Sequence, residues 1–254
     1  MSRIEKYLGS GIVFPILLLI AWDLSVRHGL LDARIWASPE AVVATAREQF
    51  HNGSLLEPLG ASLRRDALGL LGGSLVGLIL GVGLGTIRLL DELLSPLLNG
   101  VKHIALFTWI PLMSIWLGNG EPAKITFIAF AVFLPVLLNT YQGVRGVDPR
   151  FLEAARILKL SRLQTLRKVI LPSAAPTIAT GIHLALIYGW LATIGAEYLF
   201  AVAPGIGSSI MEGREQFRMD LVLFGMAIIG GVGFLLNAAA NRLQARVLRW
   251  QDPN

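Results

Sequence analysis

Polar and charged positions along this chain fall in clusters, and between the clusters lie long stretches without a single charge. Such stretches run over residues 67–87, 103–120, 125–144 and 221–241, and the longest over 169–196. A helix needs about 20 predominantly apolar residues to cross the hydrocarbon core of a bilayer. The longest stretch therefore holds a span plus additional helix or loop. A shorter run over 11–22 reaches span length only by accepting Asp23, at the outer end of the segment. Arg3 and Lys6 precede that run as they would in a secretory signal, but Ala21-Trp22-Asp23 is no small-residue cleavage site, so an uncleaved first helix is expected. The pattern predicts an all-α integral membrane protein with six transmembrane helices, near 9–26, 67–87, 103–120, 125–144, 175–196 and 221–241. These form one transmembrane domain over residues 1–254.

Charge adds an orientation. Six spans put both termini on one side. That side then receives thirteen basic residues, among them Arg3, Lys6, Arg88, Arg242, Arg246, Arg249 and seven between Arg145 and Lys168. The opposite side receives eight, including Arg34 and the adjacent Arg64 and Arg65, which run against the trend. Basic residues accumulate on the cytoplasmic side, so both termini are expected there. The net charge of +5 reflects this topology; no basic soluble face points to nucleic acid. Only 15% of residues are charged, against about 25% in a soluble domain. With no cysteine there are no disulfides, thiolate metal sites or thiol nucleophiles.

Glycine recurs inside the second span, with Gly73, Gly77, Gly81 and Gly85 spaced by four along one face. Small residues let membrane helices approach closely, so this ridge serves either packing within the subunit or a contact between subunits. The segment after the first span is expected to be partly helical. Ser38-Pro39 offers a capping serine followed by proline at the first helical position. Ser54-Leu55-Leu56-Glu57 reads as a capping box.

The densest information lies in residues 145–172. Asp148 followed by Pro149 caps one short helix. Ser161 and Gln164 form the capping box of a second. This second helix is expected to end near Leu171, because a proline disfavours helical geometry in the residue before it. The product is a compact basic hairpin tethered to spans at both ends.

Within that hairpin, Glu153-Ala154-Ala155 followed by Ile170-Leu171-Pro172 resembles the signature loop of binding-protein-dependent ABC transporter permeases. The similarity extends over roughly residues 37–249. It includes Trp109-Ile110-Pro111-Leu112, the run from Trp116 to Lys124, Phe133-Leu134-Pro135, Val147-Asp148-Pro149 and Pro204-Gly205-Ile206-Gly207. These segments resemble the branch importing aliphatic sulfonates, taurine and nitrate. The resemblance implies a coupling helix, between the fourth and fifth spans, that docks on an ABC ATPase subunit present in two copies. It further implies a periplasmic or lipid-anchored solute-binding protein, a homodimer of the permease, and surrounding membrane lipid, that of a bacterial cytoplasmic (inner) membrane. No cofactor is expected in this chain, and ATP and Mg sit on the ATPase. Glu153, Ala154, Ala155, Arg156, Lys159, Leu160 and Pro172 are the residues expected to serve coupling. Lys159 stands where the family motif has glycine; a left-handed joint there would cost a lysine about 1 kcal/mol or more, so a different joint shape is one expectation.

No Gly-x-x-x-x-Gly-Lys-Ser/Thr phosphate loop, His-Glu-x-x-His or Gly-x-Ser-x-Gly motif occurs. ATP hydrolysis would therefore belong to another polypeptide. An ion-coupled secondary transporter working without an ATPase is the alternative. Ionisable groups in or beside spans are candidates for the substrate path. Lys102 attracts either an anionic solute or lipid headgroups. His183 faces the path or packs as a hydrogen-bonded histidine. Glu197 gates or pairs with an arginine such as Arg214. Trp109, Pro111 and Pro135 kink or line the path, and Trp22, Trp36 and Trp190 serve equally as interfacial anchors.

Overall fold

The computed structural model describes residues 3–30, 32, 35–200 and 204–247, with side chains from residue 13 to 246. Arg34 and Arg249, and the side chains of Arg3 and Lys6, lie outside the described residues. Among the described residues eleven α-helices follow one another: α1 (Arg3–Arg27), α2 (Pro39–His51), α3 (Leu56–Thr86), α4 (Arg88–Val101), α5 (Ile110–Leu117), α6 (Glu121–Arg145), α7 (Pro149–Ile157), α8 (Arg162–Thr165), α9 (Leu171–Phe200), α10 (Ile206–Glu215) and α11 (Met219–Val247). No strand occurs among the described residues.

Among the described residues, four stretches of helix are long and apolar enough to cross a membrane: α3, α6, the continuous run Arg162–Phe200 and α11. The expected third span, 103–120, is not a straight helix. Its place is taken by α4 and the segment Leu106–Leu117, bent by 98° at the joint. Neither piece crosses alone, since α4 has 14 residues and α5 has 8, against the 20 or so needed. Asn99-Gly100 at the end of α4 are poor helix formers. A 3-10 turn, Leu106–Trp109, then leads into α5, where Pro111 sits in the first turn. The expected first span falls on α1, which is not one of these stretches. Val13, Phe14, the run from Ile16 to Ile20 and Leu24 are exposed, Trp22 is half-buried, and α1 makes no extensive contact with another described element.

Helix α6 is the centre of the bundle, clasped between α3 and α9. The glycine ridge of α3 makes the first of these contacts. A Cβ at Gly77 would stand 2.9 Å from the Phe133 carbonyl oxygen, and one at Gly81 would stand 2.6 Å from Thr140 Cβ. Gly69, Gly73 and Gly85 meet α6 in the same way. The ridge thus serves packing within the subunit. On the other flank Gly181 of α9 rides on Asn139 and the Pro135 carbonyl, and Gly143 of α6 meets Ala174. Between these contacts lie the fully buried Phe127, Ile128, Val132 and Val136.

Helix α2 begins as expected, with Ser38 Oγ accepting from the Ala41 amide at 3.2 Å. It docks on α11, where Thr45 Oγ1 donates to Asp220 Oδ2 at 2.5 Å. The capping box at Ser54 does not form. Ser54 Oγ donates to Gln49 Oε1 instead, and α3 starts at Leu56 without a side-chain cap. Trp190 is buried and donates its indole N–H to the Ile229 carbonyl at 3.1 Å, so it locks α9 to α11 and is no interfacial anchor.

Candidate functional site

Two constellations occupy opposite ends of the bundle. At one end, α6 terminates at Arg145 and α7 follows after Asp148, whose carboxylate accepts from the Arg150 amide at 2.9 Å. Ala155 is the buried residue of α7. Glu153, Ala154 and Arg156 are exposed, as are Ile157 at 80% and Leu158 at 71%. At the end of α7 the Leu160 amide donates to the Ala155 carbonyl, and the Lys159 amide to that of Arg156. This pair of bonds closes the helix with a left-handed residue. Lys159 is that residue, at φ 53°. The joint therefore keeps the shape a glycine would give it, with lysine carrying the strain.

Ser161 and Gln164 form the expected capping box at the start of α8. The second helix does not end near Leu171, as expected from Pro172. It passes through a π-helical turn, Leu166–Ile170, into α9. The Leu171 amide reaches back five residues to the Leu166 carbonyl. Pro172 has no N–H to offer and would crowd the carbonyl four residues earlier. Widening the preceding turn by one residue lets the helix continue through that defect. The α7–α8 hairpin thus runs on as helix into α9. At the same end of the bundle, the Arg145 guanidinium meets Asp91 Oδ2 at 2.5 Å and the Tyr141 hydroxyl, which pins α4 to the end of α6.

At the opposite end, Arg65 of α3 is buried among carboxylates. Its Nε donates to both oxygens of Glu121 at 3.0 and 2.9 Å, and its Nη1 to Glu197 Oε1 at 2.6 Å and the Pro204 carbonyl at 2.8 Å. Glu197 Oε2 accepts from Ser62 Oγ at 2.8 Å and from the Gly207 amide at 3.0 Å. Ser62 Oγ in turn accepts from the Ile206 amide at 3.0 Å. A Cβ at Gly205 would collide with the Glu197 carboxylate, so only glycine lets the loop come this close. Lys124 is completely buried nearby, and Asp66 accepts from Thr193 Oγ1 at 3.1 Å. The network fastens α3, α6, α9 and the start of α10 into one unit.

The five path candidates are not brought together. Lys102 ends α4 and is exposed, its Nζ donating to Asn99 Oδ1 at 2.7 Å. Trp109 packs on Phe130 with ring centroids 5.0 Å apart. Pro111 occupies the first turn of α5 and kinks no span. His183 places Nε2 2.9 Å from Asn237 Oδ1 and Nδ1 3.3 Å from Gln244 Oε1, both on α11. Glu197 lies about 21 Å further along α9, at 1.5 Å per residue. Its arginine partner is Arg65, while Arg214 donates to the Tyr198 hydroxyl at 2.5 Å. Asp23 is paired with Arg27 at 2.8 Å. The network of Ser62, Arg65 and Glu121 and the buried Asp66 beside it are not anticipated from the sequence. The one available signal was a charge pair, Arg64-Arg65, on the side disfavoured for basic residues.

Comparison with known proteins agrees over nearly the whole chain. Residues 73–252 match the family described as binding-protein-dependent transport system inner membrane component. The putative aliphatic sulfonates transport permease of Bacillus subtilis is 34% identical over 242 residues, covering 95% of this chain and 87% of the relative. The taurine transport system permease of Escherichia coli is 32% identical, covering 92% and 86%. Among solved structures, the inward-facing MetNI methionine ABC transporter shares the fold, with a TM-score of 0.61 at 20% identity over 73% of this chain and 92% of that one. The chain thus belongs to the binding-protein-dependent transport system inner membrane component family, whose members are non-catalytic membrane subunits of ABC transporters.

Proposed function

We propose that this chain carries a small anion of the aliphatic sulfonate, taurine or nitrate type into the cytoplasm by alternating access driven by a separate ATPase. Six spans are α1, α3, the bent α4–α5 pair, α6, α9 and α11, with both termini and the α7–α8 hairpin in the cytoplasm. The working assembly is a homodimer bearing two ATPase subunits, which hold ATP and Mg, and receiving solute from a binding protein outside. The named substrates of the two relatives above both carry a sulfonate group, which supports an anion. Lys102, exposed at the joint of the bent pair, is the cation placed to meet it, with Trp109 and Pro111 following the joint in the second arm of the pair. Glu197 and His183 hold the bundle together.

The observation that carries this reading is α7. A nine-residue helix beyond the end of a span leaves Ile157 and Leu158 exposed, flanked by Glu153 and Lys159. Apolar side chains at the tip of a charged hairpin are stabilised by burial in a partner's groove. The π turn and the left-handed joint make the hairpin stiff enough to transmit that partner's motion to α9. Glu153→Lys tests it. The variant is expected to insert and fold normally while permease-stimulated ATP turnover is lost. Unchanged stimulated turnover would count against the coupling role. Uptake that continues without ATP, on an ion gradient alone, would favour a secondary transporter.

A further inference from the structure

Between the end of α3 and the hairpin lies an open cleft of about 920 Å³. Its walls are mostly apolar, with Ile87 from the end of α3 and Leu152, Leu163 and Ile170 from the hairpin side; Thr86 and Thr165 also line it, and Arg156 and Arg162 enter from the hairpin. No acidic residue lines it, and neither guanidinium is paired with a carboxylate among the described residues. The volume far exceeds what a free phosphate fills and falls in the range of roughly 300–1,000 Å³ typical of sites for larger ligands. Ile87, half exposed, follows directly on the apolar α3; with the proposed orientation the cleft then opens where acyl chains give way to headgroups.

We infer that this cleft binds one anionic phospholipid, with its phosphate between Arg156 and Arg162 and an acyl chain along Ile87, Leu163 and Ile170. Charge complementarity selects the anion, since two unpaired arginines face no acid. The apolar side chains beside them, Ile87, Leu163 and Ile170, favour a lipid over a soluble anion. Basic pockets between membrane helices on the cytoplasmic side are suited to such headgroups. A seated lipid bridges the end of α3 to the hairpin and braces the surface that α7 presents. The inference rests on the proposed placement of the hairpin at the cytoplasmic leaflet.

The test uses the permease with its ATPase in nanodiscs of phosphatidylcholine doped with phosphatidylglycerol, then extracted and weighed intact by native mass spectrometry. Wild type is expected to retain phosphatidylglycerol in preference to phosphatidylcholine. Arg162→Ala should weaken that retention about fivefold, Arg162→Lys should keep most of it, and Ile87→Trp should block it by filling the cleft. Arg167→Ala, outside the cleft, should change nothing. Equal retention of both lipids, undiminished retention in Arg162→Ala, or displacement by inorganic phosphate as effective as by lipid would overturn the site. So would a photo-cross-linker at position 162 that captures the ATPase or a second permease copy. Lipid retention is read on the permease itself, so a failure of ATPase stimulation remains a separate result bearing on the transport reading.

Discussion

One methyl group at Gly77 would sit 2.9 Å from the Phe133 carbonyl oxygen and 3.0 Å from Val136 Cβ, both fixed parts of α6. Backbone cannot swing aside as a long side chain does, so the two helices must separate. Gly77→Ala is expected to destabilise the protein by about 1–3 kcal/mol, the usual cost of overpacking, read as a lower melting temperature in detergent. Gly72→Ala, which meets open space, should leave melting unchanged or raise it slightly. A spacing of four in the sequence disclosed a ridge but not its partner, because periodicity marks a face and is silent on what covers it. Lys159 shows the reverse case. Its motif position identified the joint, and only backbone geometry, φ 53°, showed that lysine adopts the left-handed form. Lys159→Gly should therefore stabilise the hairpin by about 1 kcal/mol, measurable as increased protection of the Leu160 amide from hydrogen exchange.

Elements were legible where apolar length alone decides them and obscure where charge interrupts it. The stretches around α3, α6, α9 and α11 carry no charge over a span's length, and each is a long helix. Helix α4 begins with Arg88, Asp91 and Glu92, so its apolar remainder is too short to register as a span, and the bend after it has no periodic signature. The π turn is a third kind of case: Pro172 correctly marks a defect, but a widened turn absorbs the defect where a break was expected. Caps were readable because they are local; Ser38, Asp148 and Ser161 all bond to amides within three residues. Helix α7 presents Ile157 at 80% exposure, so its side chain contributes little to the permease's own stability. Burying an isoleucine in a partner contributes about 1.5–3 kcal/mol. Ile157→Asp should therefore leave the melting temperature of the permease unchanged and weaken its association with the ATPase at least about tenfold. A surface-immobilised binding assay with the purified ATPase checks this, and wild-type affinity in the variant would remove α7 from the interface.

Across the whole molecule, the Arg65 cluster is the least legible feature and the one with the widest reach. Its members stand at positions 62, 65, 121 and 197 and on the loop at 204–207, separations over which no local pattern operates. The orientation count did register a discrepancy, with Arg64 and Arg65 on the side poor in basic residues. The structure resolves half of it: Arg65 is neutralised by two carboxylates inside the protein, while Arg64 remains exposed. Taking charges out of water is costly, and removing one partner leaves the other buried and uncompensated, at about 3–5 kcal/mol. Glu121 is about one-third exposed and can turn toward solvent, but Glu197 is fully enclosed and cannot. Arg65→Met should accordingly cost most of that energy through Glu197 alone. Adding Glu197→Gln removes the stranded charge while keeping an acceptor for Ser62 and the Gly207 amide, so the double variant should melt higher than Arg65→Met. The order of the two melting temperatures decides the matter. If the double variant is no more stable than the single, Glu197 is not the group that Arg65 neutralises, and the joining of α3, α9 and the start of α10 must rest on packing alone.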